Sequence, residues 1–350
     1  MKAEPLRLLM IGFGNVGQKL VSILSIEKNQ YSQLTGFSPQ ITGIFTRQHG
    51  AVVKYDGLDL WNMLPLYKKH GGFIPAHPEY SALDTNTAIN ELDYDVLVEL
   101  STLSIENRGE PALSYIHNAL KRGKHVVSAN KGPLAFAYRD LQILADRNNC
   151  FLLHEATVMD GTPVFNLART ALKGCRITRV SGILNSTTNF ILTRMEEGLP
   201  FDQALQQAQQ MGIAEADPKY DIEGWDSTAK ICILANAFLY GDLTPPQILR
   251  EGISSISGRD IKTNLLQGKR LKLIGSAWLE NDRAAARVVV ESIPFDHPFA
   301  NVKGTGSVLQ IETDLMSPLI IAHLSPGLSD TAFGVINDLL EIDFITKNNL

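Results

Sequence analysis

Five carboxylates and two lysines crowd the segment "EADPKYDIEGWDSTAK". Glu215, Asp217, Asp221, Glu223 and Asp226 fall within twelve residues, and Lys230 follows. From Ala229 onward the chain reads as a buried helix, with Ile231, Cys232, Leu234, Ala235 and Phe238 apolar on more than one face. Asp226 and Lys230 are four residues apart, so a helix places them on one face. As a solvated surface pair they would contribute only ~0.3–0.5 kcal/mol. On a helix bound for the core, desolvation would lower the lysine's pKa, and such a lysine can accept and return a proton near neutral pH. Carboxylates around it suit a substrate that carries an ammonium group. The spacing leaves both readings open.

A second set of chemistry-bearing residues lies near the N-terminus. An apolar run, Leu6 to Ile11, is short enough for a buried strand and ends in Gly12-Phe13-Gly14-Asn15-Val16-Gly17. A helical pattern follows, with Val16, Leu20, Val21 and Leu24 apolar. Strand, glycine turn and helix together aim backbone N–H groups and a positive helix end at a pyrophosphate. An NAD-binding unit usually ends its second strand with an acid for the ribose hydroxyl. Here "ITGIFT" (41–46) is followed by Arg47, and no acid appears before Asp56. A guanidinium pairs with a 2′-phosphate, which predicts a preference for NADP(H), with NAD(H) as the second carrier and Lys54 in support. The segment 27–40 reads as an insertion before this second strand.

The elements that must position these groups follow from the pattern. "DVLVEL" (95–100), "HVVSA" (125–129) and "FLLHEATV" (151–158) read as strands, with helices over "PALSYIHNALKRGK" and "PLAFAYRDLQILADRNN" between them. Alternating strands and helices predict a parallel, doubly wound sheet. Thr102 and Lys131 then fall at its carboxyl edge, where ligands bind, and are candidates to face the cofactor. After residue 164 the pattern changes. "RITRVSGILN" (176–185) reads as a strand, Ser186 or Thr187 can cap the next helix, and another helix ends at Gly212. Residues 269–293 show strand signals around a turn at "ENDR", and "TGSVLQIETDLMSPLIIAHL" follows as a hairpin.

Bulk properties bound the rest. A chain of 350 residues exceeds what one core usually serves, so two domains are expected. The net charge of −5, with no basic run longer than a pair, argues against a nucleic-acid partner. No apolar segment is long enough to span a bilayer, and Gly12 and Gly14 break the N-terminal run, so neither a membrane partner nor a signal peptide is expected. Cys150, Cys175 and Cys232 are an odd number without a CxxC pair, which suits a reducing cytoplasm.

Over essentially its whole length the chain resembles the homoserine dehydrogenases. The residues that carry the resemblance are "GFGNVG" (12–17), "SANKGPLA" (128–135), "HEATVMDGTPV" (154–164), "GILNSTTNFIL" (182–192) and, most specific, residues 215–230. The resemblance implies NAD(P)-linked interconversion of L-homoserine and L-aspartate 4-semialdehyde, in threonine and methionine biosynthesis. It also implies an α/β fold: a Rossmann-type nucleotide-binding domain over 1–150, completed by a C-terminal helix (325–350), and an α+β catalytic and dimerisation domain over 151–324. Lys230 matches the family's catalytic lysine, and Lys131 the second lysine near the nicotinamide. Glu215 and Asp226 match acids that touch substrate or orient the lysine. Asp221 matches a substrate-side acid, and Thr187 lies in the matching turn. Glu155, with the carbonyls of Val158, Asp160 and Thr162, matches a monovalent-cation site for Na+. A homodimer is implied as well, an open sheet edge in the second domain being suited to pairing.

The chain departs from the family pattern in two places. The glycine-rich loop near the C-terminus, which the resemblance places on the nicotinamide side of the cofactor, reads "LSPGLSDTA" (324–332), keeping Gly327 as a cofactor-binding candidate but losing neighbouring glycines, and Ser186 stands where Gly is common. No regulatory ACT domain or kinase segment is read in the 350 residues, so feedback through such a domain is not expected. Two rival readings remain. A phosphorylating semialdehyde dehydrogenase would need a nucleophilic cysteine with an activating histidine. A nucleotide-sensing homologue without activity would not need both lysines and the matching acids.

Overall fold

The computed structural model describes residues 5–26 and 35–348. Residues 27–34 of the segment read as an insertion lie outside the described residues. The chain divides into two compact units, Met1–Pro163 with Gly327–Leu350, and Val164–Pro326.

The first unit is built on β1 (Arg7–Ile11), α1 (Asn15–Ile26), β2 (Gln40–Phe45), β3 (Ala51–Val53), α2 (Leu60–His70), α3 (Thr85–Glu91), β4 (Val96–Glu99), α4 (Ala112–Lys121), β5 (His125–Ser128), α5 (Lys131–Arg147) and β6 (Leu152–Leu153). Its sheet has the order β3-β2-β1-β4-β5-β6. Every pair is parallel except β2 with β3, which runs antiparallel along one edge. The order reverses at β1, so the glycine turn after it lies at a topological switch point. The strands read as continuous apolar runs because helices cover both faces. The C-terminal helix, Leu328–Asn348, belongs to this unit and buries Ala332, Val335, Ile336, Leu339 and Ile342 in its core.

One strand is shorter than its apolar run predicts. β6 ends at Leu153, and Glu155–Thr157 form a 3-10 turn instead. The backbone N–H of Glu155 donates to the Asp338 carboxylate of the C-terminal helix at 2.8 Å, which takes the chain out of the sheet ladder. Met159 and Asp160 then adopt left-handed backbone, with φ of 56° and 59°.

The second unit contains α6 (Val164–Ala171), β7 (Ile177–Ile183), α7 (Ser186–Glu196), α8 (Phe201–Gln210), α9 (Lys219–Ile222), α10 (Trp225–Phe238), β8 (Leu249–Arg250), α11 (Gly258–Leu266), β9 (Lys269–Glu280), β10 (Arg283–Pro294), β11 (Ser307–Thr313) and β12 (Leu319–His323). The sheet order is β12-β11-β7-β9-β10-β8, antiparallel except for β8 against β10. The β9–β10 hairpin turns through Asn281 and Asp282, both left-handed (φ 49° and 59°), as a two-residue turn matched to strand twist requires. In α10 nine of the ten residues from Asp226 to Ala235 are buried, Lys230 being the exception.

Candidate active site

In the second unit, the end of β7 and the starts of α7 and α10 bring the polar groups together. Asn185 is the residue that caps α7, not Ser186 or Thr187: its side-chain oxygen accepts from the Thr188 N–H at 2.8 Å. Ser186 and Thr187 lie one and two residues inside the helix, where a hydroxyl cannot reach back to the free N–H groups. The Asn185 amide has a second task. It donates to Asp221 at 2.7 Å and to Asp226 at 3.0 Å, so one side chain spans two carboxylates.

Lys230 completes the cluster. Its ammonium lies 2.8 Å from the Asp226 carboxylate, and the two side chains are only 16% and 12% exposed. It also donates to the carbonyl of Leu184 at 2.6 Å. This is therefore a largely buried, doubly held ammonium, and the solvated-pair reading does not apply. Burial and the neighbouring Asp226 charge both push the Asp221 carboxyl above its ordinary range. The Asn185 and Thr187 hydrogen bonds pull it partly back. Thr187 also donates to the carbonyl of Ile213 at 3.1 Å, which ties α7 to the acidic loop.

The loop is clamped from outside. Gly224 has φ of 81°, and a Cβ there would stand 2.7 Å from the Glu251 carbonyl oxygen. Arg250 stacks 3.9 Å above the Trp225 ring and donates to the Glu223 carbonyl. Glu215 is not drawn into the cluster: it is exposed, and its carbonyl accepts from Gln209 at 3.2 Å. Asn185 and the Leu184 carbonyl escaped the sequence reading. The signal for Asn185 was available, since Asn ranks with Ser and Asp as a cap residue. The carbonyl has no side-chain signature.

In the first unit the glycine turn forms a cradle. Gly12 has φ of 95°, and a Cβ would meet the Leu100 carbonyl at 2.6 Å and the Ser101 N–H at 2.7 Å. Gly14 and Asn15 are exposed, with open space around Gly14, and Val16 lies in the first turn of α1. A Cβ on Gly17 would press 3.1 Å from the Gly12 carbonyl. Phe13 is buried, its ring 4.8 Å from Tyr67 and 5.5 Å from Phe73, which anchors the turn. The Gly12 N–H is used by the Phe45 carbonyl at 2.8 Å, while space is open at Gly14 just before the N-terminus of α1, so the turn fits a pyrophosphate.

Arg47 is exposed on the loop that follows β2, and Thr102 is exposed beyond β4. Lys131 opens α5 behind its cap, Asn130, whose side chain accepts from Gly132 at 2.9 Å. Gly327 donates to Asp330 at 2.8 Å where the C-terminal helix begins. Glu155 and Val158 are buried. Asp160 accepts from the Thr331 hydroxyl at 3.0 Å, and the Thr162 N–H bonds the Met159 carbonyl. Gly161 lies so close to the C-terminal helix that a Cβ would collide with the Asp330 carbonyl.

Comparison with known proteins identifies the family. A family model described as homoserine dehydrogenase matches residues 163–340, and its NAD binding domain matches residues 12–155. The chain belongs to the homoserine dehydrogenase family. It is an enzyme, an oxidoreductase acting on a CH–OH group, and it carries a pyridine-nucleotide-binding domain. The chain is 38% identical to a homoserine dehydrogenase of Methanocaldococcus jannaschii, over 97% of this chain and 99% of that one. It is 36% identical to an NAD(+)-dependent homoserine dehydrogenase of Pseudomonas canavaninivorans, over 96% of each. A hyperthermophilic archaeal homoserine dehydrogenase solved in complex with NADPH superposes with a TM-score of 0.81 at 27% identity, over 97% of this chain and 98% of that one. The two homoserine dehydrogenase models together span both units of the fold.

Proposed function

We propose that Lys230 is the proton-transfer group for the interconversion of L-homoserine and L-aspartate 4-semialdehyde. The observation that carries this reading is the ammonium held between the Asp226 carboxylate and the Leu184 carbonyl at the edge of the acidic loop. Oxidation of an alcohol requires its hydroxyl proton to leave, and reduction of the aldehyde requires it back. Lys230 holds that proton at Nζ, and Asp226 fixes where Nζ points. Asp221 and Asp226, bridged by Asn185, offer negative charge to the substrate's ammonium group, with Thr187 alongside. Glu215, exposed on the same loop, is assigned to the substrate's approach.

When bound, the nicotinamide exchanges the hydride with the hydroxyl-bearing carbon. The chain's part is to hold the nucleotide: the glycine turn from Gly12 to Gly17 and the N-terminus of α1 take the pyrophosphate, and Thr102, Lys131 and Gly327 serve its nicotinamide side. Arg47 supports a preference for NADP(H), since an exposed guanidinium after β2 pairs with a 2′-phosphate. The two relatives named for their nucleotide differ on this point, one being NAD(+)-dependent and one bound to NADPH.

Glu155 with the carbonyls of Val158, Asp160 and Thr162 offers one charge and neutral oxygens, a donor set suited to Na+ or a similar hard monovalent cation. Its role is to brace the loop against the C-terminal helix. A cytoplasmic homodimer serving threonine and methionine biosynthesis completes the proposal. No helix among the described residues is long and apolar enough to cross a membrane.

The rival phosphorylating chemistry needs a reactive thiol; Cys150 and Cys232 are buried, and the half-buried Cys175 thiol donates to the Leu172 carbonyl at 3.3 Å. Cys232 is fully buried, its thiol pushed up to about 12 by burial, and burial raises Cys150 too. The assay that separates the readings follows reduced nicotinamide with homoserine, with and without phosphate. Turnover without phosphate supports the proposal. Dependence on phosphate supports the rival, and silence with both points to a nucleotide sensor.

A further inference from the structure

Glu99 closes β4 and is fully buried. One carboxyl oxygen accepts from the Ser101 N–H at 2.7 Å, from the Ser101 hydroxyl, and from the Asn130 amide at 3.5 Å. The other, Oε2, is shielded from solvent and has no hydrogen-bond partner. No described cation pairs with it. A buried carboxylate with an empty oxygen and no counter-charge is costly, and protonation is the ordinary relief.

The groups that Glu99 holds are those of the cradle. Ser101 and Leu100 form the backbone against which Gly12 lies, so close that a Cβ there has no room. Asn130 joins the Ser101 hydroxyl at 3.2 Å and the Thr102 carbonyl at 3.5 Å to the cap of α5, whose first residue is Lys131. The carboxyl thus lies beneath the glycine turn, the loop after β4 and the lysine-bearing helix start together. On α4, the phenol of Tyr115 also senses it, raised first by burial and then by the Glu99 charge.

We propose that Glu99 is a positioning residue of the nucleotide site and takes up a proton when pyridine nucleotide binds. The inference rests on the glycine turn being the pyrophosphate site. A pyrophosphate brings two negative charges to a turn packed on the Glu99 loop. In a buried, weakly screened setting, that charge favours the neutral acid. Burial already pushes the group up to about 7, close to neutral pH. The neutral acid keeps its carbonyl oxygen for Ser101 and Asn130, so the loop stays in place. By linkage, nucleotide affinity falls as pH rises through and above the neutral range.

The test is calorimetry of NADPH binding in two buffers of different ionisation enthalpy. Near pH 7 the wild-type protein should take up a sizeable fraction of a proton, about half if the group is half-ionised beforehand. E99Q, which keeps the acceptor for Ser101, should lose that component, and its affinity should vary less between pH 6.5 and 8.5 than the wild type's. Any uptake by the nucleotide's own phosphate is common to both proteins and cancels. Difference infrared spectra of the wild type should show a protonated carboxyl band growing on NADPH addition, a readout that survives even if E99Q does not fold. Equal uptake in both proteins, or no new carboxyl band, would overturn the inference. Absence of binding by both NADPH and NADH would overturn the site reading beneath it.

Discussion

Lys230 and Asp226 are separated by one helical turn, and what distinguishes them from a surface pair is where that turn lies. The same four-residue spacing on a solvated face would have little consequence. Here it starts a helix that is buried almost throughout, and it meets Asn185 arriving from β7. Asp221 reports this environment in a measurable way. Its pKa is raised, so between the ordinary carboxylate range and that raised value the folded state keeps a proton that the unfolded state has lost. Stability then falls as pH rises through that window. In Asp221→Asn this fall should be smaller, as urea unfolding midpoints measured from mildly acidic to neutral pH would reveal. Arg47 makes the second prediction at this scale. Arg47→Ala should weaken NADP(H) binding by about 1.5–3 kcal/mol, the worth of a hydrogen bond to a charged group. NAD(H) binding should scarcely change. Equal losses for both nucleotides in a fluorescence titration would remove Arg47 from the 2′-phosphate site.

At the scale of elements, periodicity made most of the fold legible. The parallel strands announced themselves as short apolar runs, and the β9–β10 turn by its polar tetrad. Two features stayed hidden, one for a tertiary reason and one for its length. β6 stops at Leu153 since the Glu155 N–H is claimed by Asp338, far away in sequence. The edge strand β3 is three residues long, too short for alternation to register. The glycine turn was legible because its chemistry is local. Gly12→Ala should therefore be costly: left-handed backbone and a Cβ at 2.6 Å from backbone atoms leave no relaxed solution. Strain of about 1–3 kcal/mol should lower the melting temperature and weaken nucleotide binding together. An unchanged nucleotide Kd in a folded Gly12→Ala protein would count against the cradle.

A second element-level prediction concerns Lys272 on β9. It is fully buried, donating to the Asn189 side chain and the Val302 carbonyl, each at 2.8 Å, which ties β9 to α7. Burial holds its pKa down at about 8. From there up to the ordinary lysine value the unfolded chain binds the extra proton, so this group makes stability rise with pH across that window. Lys272→Met should lose that rise when unfolding is followed from pH 8 to 10. A rise of the same size in the variant would assign it to another group.

For the whole molecule, the division of labour was harder to read than either part. The C-terminal helix belongs to the first unit, although the second unit separates them in sequence. Its apolar face buries five residues in that core, a return that local periodicity cannot announce and that came instead from the family resemblance. Chemistry and nucleotide binding are likewise assigned to different units: Lys230 to Val164–Pro326, the glycine turn to Met1–Pro163. The most direct test of the account is therefore turnover of homoserine by Lys230→Ala, measured beside its NADPH Kd. The account predicts a fall in kcat of ~10²–10⁴, as for loss of a general acid–base group, with Kd close to wild type. Near-normal kcat in a folded Lys230→Ala protein would contradict it.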